Sequence, residues 1–174
     1  MDCLTIQNKK VLEILNSNGI YKANIDYAKE PLKEAYKNMM IHYGYESCPI
    51  FLAPIGYPGQ MYGAKTESAV LLKINVPNNM LKIQKYYTWS DYIYFLELKN
   101  AGLMDEFQNT FAKGYTFEQF EKDVFSFSGP LDIHEIYQIT IPILKKEWLV
   151  DSYPLSKEFE GQYIGQGGVN ILKI

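Results

Sequence analysis

At 174 residues the chain has the length of one globular domain, and its 47% hydrophobic and 21% charged residues are ordinary for that class. A net charge of −3 with no basic run argues against duplex nucleic acid as a partner. The sequence has no run of about 18 apolar residues and no signal-peptide pattern, which predicts a cytoplasmic protein without a membrane partner.

The basic residues and the cysteines narrow the chemistry further. All 17 basic residues are lysine, so a phosphate-bearing ligand would be held by lysine side chains, backbone N–H groups or hydroxyls. A coding bias is the simpler explanation for the missing arginine. Cys3 and Cys48 lie far apart without metal-ligand spacing, which predicts two reduced thiols and no metal site.

The first part of the chain predicts two helices that alternate with short strands. Residues 4–7 form a strand, Asn8 is the N-cap of the helix that follows, and Gly19 ends that helix. A second helix begins at Pro31 and runs to Tyr43. Its expected buried face consists of Leu32, Ala35, Tyr36, Met39, Met40 and Tyr43.

The central part predicts strands and a long loop. Residues 48–54 are apolar enough for a buried strand, and residues 55–68 form a loop rich in glycine and proline. Residues 69–76 are a strong strand, and residues 80–84 a shorter one after a turn at residues 77–79. The two strands form either a hairpin or a connection into another layer.

The rest of the chain is mainly helical until residue 127. Thr88 or Ser90 is expected to cap the first helix of this block, and Thr116 with Gln119 has the pattern of a capping box. Residues 133–141 then alternate in polarity like a strand.

A helical turn at residues 145–150, a glycine-rich loop and a last strand at residues 169–174 complete the chain. Strands separated by helical blocks of unequal length predict an α+β fold. We expect one domain over residues 1–174, with small mixed or split β-sheets and helices packed around them.

No strong catalytic motif is present: the sequence lacks a Walker loop, an H-E-x-x-H motif and a G-x-S-x-G motif. The best acid/base candidate is the pair His134 and Glu135, near Gln138 on the predicted strand. A buried carboxylate is costly unless it is hydrogen-bonded, so Glu135 either has a purpose or lies at an exposed strand end. Both residues lying in solvent is the alternative.

Other polar and aromatic residues could contact a ligand. Thr5 and Gln7 share one face of the first strand and offer a hydroxyl and an amide, unless they satisfy each other at a sheet edge. Trp89 and Ser90 combine an aromatic platform with the N–H donors of a helix start, or form a cap with a packed tryptophan. Tyr62 in the long loop suits a lid or a protein interface.

Several stretches of the chain carry a family resemblance. The T-I-Q opening, residues 70–77 (VLLKINVP), the W-S-D element and the late I-H-E-I-Y-Q-I-T-I-P strand resemble an uncharacterised bacterial family of unknown function. The succession of an opening polar strand, a helix ending in G-I-Y, a VLL-x-I-x-VP strand and a late strand with a carboxylate is similar to the ADP-ribosyltransferase superfamily. That resemblance implies an α+β enzyme that uses NAD as a substrate and modifies a protein target.

The resemblance also implies roles for residues. Glu135 or Gln138 would take the place of the glutamate that orients the nicotinamide ribose, and Gln138 in that place would remove the carboxylate. No arginine or histidine stands on the first strand, which departs from the superfamily pattern. The residues implied to contact NAD are Thr5, Gln7, Tyr62, Trp89, Ser90 and His134.

The alternative is a non-catalytic protein-binding domain with a tyrosine-rich acidic surface. A cleft that joins the first strand to residues 133–140 would favour the enzyme. A filled cleft and an exposed aromatic patch elsewhere would favour the binding domain.

Overall fold

The computed structural model of the chain describes residues 1–59 and 68–154. Its strands are β1 (Asp2–Asn8), β2 (Ile20–Tyr21), β3 (Ile50–Pro54), β4 (Ala69–Asn75), β5 (Lys82–Lys85), β6 (Tyr137–Ile141), β7 (Leu144–Lys145) and β8 (Leu149–Pro154). Its α-helices are α1 (Lys9–Asn18), α2 (Leu32–Tyr43), α3 (Tyr86–Asn100), α4 (Asp105–Thr110) and α5 (Phe117–Phe125). Short 3-10 helices cover Ile25–Tyr27, Asn78–Met80 and Lys146–Trp148.

The described strands form a six-stranded sheet and a two-stranded sheet. The order in the larger sheet is β5-β6-β3-β1-β4-β8, and β2 pairs with β7 in the smaller one. Each of these neighbouring pairs is antiparallel. The predicted α+β fold with split sheets is confirmed. The predicted glycine-rich loop after residue 160 and the strand at residues 169–174 lie outside the described residues.

Capping at several helix ends follows the sequence. Asn8 accepts a hydrogen bond from the backbone N–H of Lys10 at 3.0 Å, which starts α1 as predicted. Gly19 ends the helix in the left-handed conformation, at φ 75°, where other residues are strained. Thr116 and Gln119 form the predicted capping box at the start of α5.

The buried face of α2 is narrower than its apolar pattern predicts. Ala35 and Met39 are fully buried. Leu32 was expected to pack inside, but it is 38% exposed because it lies in the first turn of the helix, and Met40 is only partly buried. The apolar stripe therefore overestimates the area that α2 buries.

Two other predicted boundaries are wrong. Strand β6 begins at Tyr137, and residues 133–136 form a turn before it. Helix α3 begins at Tyr86, so neither Thr88 nor Ser90 is its cap. The hairpin alternative for residues 69–76 and 80–84 is also wrong, because three strands separate β4 from β5 in the sheet.

The pairing register divides the large sheet into two sides. On the first, which we call the α1 side, Thr5 is paired with Leu72, and Leu52 with Ile139. Aliphatic side chains of this side pack with Val11 and Leu15 of α1. The members of this aliphatic cluster on the strands are Cys3, Ile50, Leu52, Val70, Leu72, Ile74, Ile139 and Ile141.

The other side, which we call the aromatic side, faces α2, α3 and α5 at the β3, β6 and β5 end of the sheet. Phe51 of β3 packs there against a cluster of buried aromatic residues. Trp89 is 1% exposed and contacts the rings of Tyr36, Phe51 and Tyr92. The buried rings of this cluster are Trp89, Tyr92, Phe95, Phe107, Phe117, Phe120 and Phe125.

Candidate functional site

The predicted polar pair on β1 satisfies its own hydrogen bonds. Thr5 is fully buried on the α1 side, and its hydroxyl donates to the carbonyl oxygen of Phe51 at 2.8 Å. The same hydroxyl accepts from Nε2 of Gln7 at 2.8 Å. Since the Thr5 hydroxyl has both a donor and an acceptor partner within the chain, it needs no ligand.

The predicted catalytic residues lie apart from β1. Gln138 is paired with Gln84 and precedes Ile139 of the α1 side, so its side chain projects to the aromatic side. Thr5 and Gln138 are therefore on opposite sides of the sheet. The structure does not bring the first-strand residues and the late-strand amide into one cleft.

Glu135 and His134 precede β6 in the turn. Glu135 is partly exposed, and its Oε1 lies 3.1 Å from Nζ of Lys85. His134 is exposed, and its backbone N–H donates to Oδ1 of Asp132 at 2.9 Å. This arrangement is the strand entrance of the alternative interpretation.

The predicted nucleotide platform at Trp89 and Ser90 is wrong in its placement. Both residues lie inside α3 rather than at its start, so their backbone N–H groups belong to the helix ladder. The Trp89 ring is buried in the aromatic cluster, and Ser90 is exposed. Tyr62 lies outside the described residues.

A polar group on the aromatic side was only partly foreseen. Gln84 and Gln138 are directly paired between β5 and β6, and both are fully buried. Nε2 of Gln84 donates to the hydroxyl of Tyr43 at 3.1 Å. Neither Oε1 of Gln84 nor either amide atom of Gln138 has a hydrogen-bond partner within residues 1–59 and 68–154. We name Gln84 and Gln138 the glutamine pair.

The next pair along the two strands is fully satisfied. Thr140 is opposite Lys82, and the hydroxyl of Tyr45 donates to the Thr140 carbonyl oxygen at 3.0 Å. The Thr140 and Tyr45 hydroxyl oxygens are 3.2 Å apart. Burial raises the pKa of Tyr45, so this hydroxyl stays protonated. Within residues 1–59 and 68–154, the buried side-chain polar atoms without a hydrogen-bond partner all belong to the glutamine pair.

A pocket of about 370 Å³ opens beside Tyr43. Nζ of Lys82 lies 5.7 Å from the centre of the Tyr43 ring at this pocket, a cation–π contact. We name it the Tyr43 pocket. Its lining residues are His42, Tyr43, Leu81, Lys82, Ile83, Phe125, Ser126, Phe127, Ser128 and Gly129.

A network of polar side-chain contacts connects three helices next to this pocket. Nε2 of His42 lies 3.9 Å from Oε2 of Glu121, and the hydroxyl of Tyr92 donates to the other oxygen of Glu121. Asn38 donates to the Tyr92 hydroxyl at 2.8 Å. Burial, then the bond to Glu121, raises the pKa of Tyr92, which keeps this hydroxyl a donor. These contacts link α2, α3 and α5.

A second pocket, of about 820 Å³, lies where α4 leads into α5. Phe107, Phe111 and Phe117 contribute to its walls, and Lys99 and Lys113 also line it. Neither of these two pockets is lined by Thr5, Gln7, Glu135 or Gln138.

One surface of α3 carries exposed aromatic and acidic side chains. Tyr87 is 62% exposed and Tyr94 43% exposed, two helical turns apart. Ser90, Asp91 and Glu97 are exposed at intervening helical spacing. We name these five residues the α3 surface.

Charge on the α3 surface is unbalanced. Partial burial raises the pKa of Asp91, and no ion pair joins Asp91 or Glu97 to a residue that the structure describes. The nearest lysine along the helix, Lys99, lies with its Nζ 4.5 Å from the centre of the Phe117 ring. A cation supplied from outside would thus be attracted to this surface.

The cysteines and metal-ligating residues show no site. Cys3 and Cys48 are free and buried, and burial raises the pKa of their thiols to about 12 and about 11. In the described residues no group of three or more His, Cys, Asp or Glu side chains could hold a metal ion. Among the helices of the described ranges, none has the length and apolar content to cross a membrane.

Comparisons with protein-family models, with curated proteins and with solved structures found no match for this chain.

Proposed function

We propose that this chain is a non-catalytic domain that binds a positively charged segment of another protein through the α3 surface. The observation that carries the proposal is the pattern of Tyr87, Asp91, Tyr94 and Glu97 along one exposed side of α3. Tyrosine combines a large apolar ring with a polar hydroxyl, and such residues are enriched at protein interfaces.

The helix that presents this surface is firmly anchored. Its opposite side buries Trp89, Tyr92, Phe95 and Leu96 in the aromatic cluster. Loss of such packing costs several kcal/mol for a single large side chain, about 3–5 for an aromatic residue replaced by alanine. An anchored helix lowers the entropy cost of binding, because the backbone that carries the exposed side chains is already ordered.

Residues that follow α3 in the sequence extend the same surface. A hydrogen bond to Glu106 of α4 is the largest contribution that raises the pKa of Tyr94, which places a further carboxylate beside this tyrosine. Leu103, between α3 and α4, is 60% exposed. The surface therefore combines apolar area with carboxylates and attracts lysine- or arginine-bearing partners.

Selection from a displayed library of random peptides tests this proposal. The expected result is enrichment of peptides with several lysine or arginine residues beside an apolar residue. Their binding should weaken at least tenfold with Glu97→Lys and with Tyr94→Ala, and should fall as salt rises. Glu13→Lys makes the same change in net charge on an exposed position of α1 and should leave binding unchanged.

Two outcomes contradict the proposal. One is a selection that enriches no basic peptide. The other is a set of binders that respond equally to Glu97→Lys and to Glu13→Lys, because general charge rather than the α3 surface would then explain the binding.

The NAD-using transferase is the weaker proposal. Its site would need the β1 residues and a carboxylate of the late strand in one cleft. Thr5 and Gln138 project from opposite sides of the sheet, and Glu135 is paired with Lys85 in a turn. The α3 surface has no such requirement.

A further inference from the structure

We infer that the glutamine pair is the recognition edge of a second, small-molecule site, which binds a 2-amino-4-oxopyrimidine ring such as that of guanine or a pterin after the Tyr43 side chain moves aside. This site is separate from the α3 surface. The unpartnered amide atoms, the Tyr43 hydroxyl bonded to Gln84 and the pocket beside the Tyr43 ring support it.

The glutamine pair lowers the stability of the folded chain unless a ligand satisfies its hydrogen bonds. Three amide atoms are buried without partners in the part of the chain that the structure describes: Oε1 of Gln84, Oε1 of Gln138 and Nε2 of Gln138. Leaving a buried polar group unsatisfied costs roughly 1–3 kcal/mol, whereas an apolar residue of similar shape carries no such cost. An unpaired group of this kind therefore points to a missing partner.

The three atoms define the chemistry of that partner. Cross-strand neighbours have Cβ atoms roughly 4.5–5.5 Å apart, so the two amides lie side by side. Gln138 offers one donor and one acceptor, which is the complement of a cyclic amide with its C=O and N–H. Gln84 adds a second acceptor, which requires a second donor on the ligand.

A ring edge that presents an acceptor, a donor and a donor in sequence fits this pattern. Guanine presents its oxo group, its ring N–H and its amino group in that order, and pterins carry the same edge. Adenine presents a donor beside an acceptor, which the amide of Gln138 can match in the reverse order, but it has no second donor for Oε1 of Gln84. Hypoxanthine lacks the amino group, so it would leave Gln84 unsatisfied.

Tyr43 now stands where the ligand ring would bind. Its hydroxyl accepts the one hydrogen bond that Gln84 makes, and its ring lies 5.5 Å from the rings of both Tyr45 and Phe125. Nζ of Lys82 is 5.7 Å from its centre. A planar ring with a polar contact at its hydroxyl and tilted or edge-on contacts to neighbouring rings already occupies this position.

Space for the exchange lies next to Tyr43. Tyr43 is the last residue of α2, and it lines the pocket of about 370 Å³, which is within the usual range for small-molecule sites. A Tyr43 side chain that swings into this pocket would give up its bond to Nε2 of Gln84 and leave the place of its ring, beside Gln84, open to a ligand. Lys82 at the same pocket would then face any anionic substituent on the ligand.

Calorimetry on the full chain with guanosine, inosine, adenosine and pterin tests the inference. Guanosine or pterin should bind, and inosine and adenosine should each bind at least about tenfold more weakly than guanosine, because both leave Oε1 of Gln84 without a donor. Binding by guanosine alone assigns the ring to a nucleoside, and binding by pterin alone assigns it to a pterin. Equal binding of guanosine and adenosine would overturn the proposed recognition edge.

Three variants sharpen the test. Tyr43→Phe removes the hydrogen bond to Nε2 of Gln84 that holds the Tyr43 side chain in place, so moving the ring aside costs less and guanosine or pterin should bind about fivefold more tightly, the factor of one ordinary hydrogen bond. Gln138→Met should abolish binding. Gln7→Met changes a glutamine on the other side of the sheet and should leave binding unchanged.

Absence of binding to all four compounds, by the parent chain and by Tyr43→Phe, would overturn the inference. So would binding that Gln138→Met retains. The comparison of guanosine with inosine and adenosine uses the parent chain alone, so it decides the matter even if a variant does not fold. None of these outcomes depends on peptide binding by the α3 surface.

Discussion

The two sides of the large sheet treat their polar residues differently. On the α1 side, Gln7 donates to the Thr5 hydroxyl, which donates to the Phe51 carbonyl oxygen, and aliphatic residues form the core of that side. On the aromatic side, the glutamine pair keeps three amide atoms without a partner. Among the described residues, the buried Thr5 hydroxyl on the α1 side is therefore fully hydrogen-bonded, whereas the glutamine pair on the aromatic side is not.

The helices explain this contrast. Helix α1 covers its side of the sheet with the apolar residues Val11 and Leu15, and the buried Thr5 hydroxyl there finds both of its partners within the strands. The aromatic side is covered by rings from α2, α3 and α5, and Tyr43 supplies only a single hydroxyl to the glutamine pair. A buried polar group beside a pocket is therefore a better indicator of function than a polar strand face.

The largest expected effect comes from a substitution that disrupts the packing on the aromatic side of the sheet. Met39→Asp should lower the free energy of unfolding by about 3–5 kcal/mol, because Met39 is fully buried and the new carboxylate would have no partner. Ile41→Asp on the same helix is the matched control, since Ile41 is 78% exposed and should change stability by about 0.5 kcal/mol or less. Urea unfolding measures both. Equal losses would mean that the wrong face of α2 is buried.

Opposite signs should follow from polar-to-apolar changes on the two sides. Thr5→Val should cost about 1 kcal/mol or more, because it leaves the Phe51 carbonyl and the Gln7 amide without their partner. Gln138→Met should instead leave stability unchanged or raise it by about 1 kcal/mol, because it removes two unpartnered atoms. A clear loss for Gln138→Met in urea unfolding would show that Gln138 is satisfied in the native state.

Alkaline pH should weaken the fold through both sides. Burial raises the pKa of Cys3 on the α1 side, and of Tyr36 and Tyr43 on the aromatic side, each to about 12. The unfolded chain loses these protons nearer 9 for the thiol and 10 for the phenols, so it binds fewer protons than the folded chain above that range. Stability is therefore full below about pH 9 and falls as the pH rises towards 12.

Urea midpoints at about pH 8 and about pH 10.5 check this expectation. The midpoint should be lower at the higher pH, and the Cys3→Ala variant should lose less than the parent chain over the same interval. A midpoint that rises with pH would contradict the assigned direction of these pKa values.

The fold was predictable where local chemistry decides it. The Asn8 cap, the Gly19 stop and the Thr116–Gln119 capping box each depend on a few neighbouring residues, and all three are confirmed. The start of β6 was not predictable, because Ile133 in the turn before it falls on the same two-residue period as Tyr137, Ile139 and Ile141. Pairing with β5 begins only at Tyr137.

The candidate site was predictable only in part. Gln138 was singled out from its strand, but its partner Gln84 comes from a strand about 50 residues earlier, and no local pattern joins them. The α3 surface escaped notice because the helix was expected to start later than Tyr86. With the correct start, the spacing of Tyr87, Asp91 and Tyr94 on one side of the helix follows directly.

The smallest expected effect concerns Glu135, which lies in the turn before β6. Its bond with Lys85 is partly exposed to solvent, so Glu135→Gln should cost less than about 1 kcal/mol of stability. If the chain is a binding domain, incubation with labelled NAD, with and without cell lysate, should give neither nicotinamide release nor label transfer, in the parent chain or in this variant. Label transfer by the parent that Glu135→Gln abolishes at unchanged stability would replace the binding domain with the transferase. Transfer that survives in Glu135→Gln but is lost in Gln138→Ala would place the chemistry at the glutamine pair, on the aromatic side of the sheet.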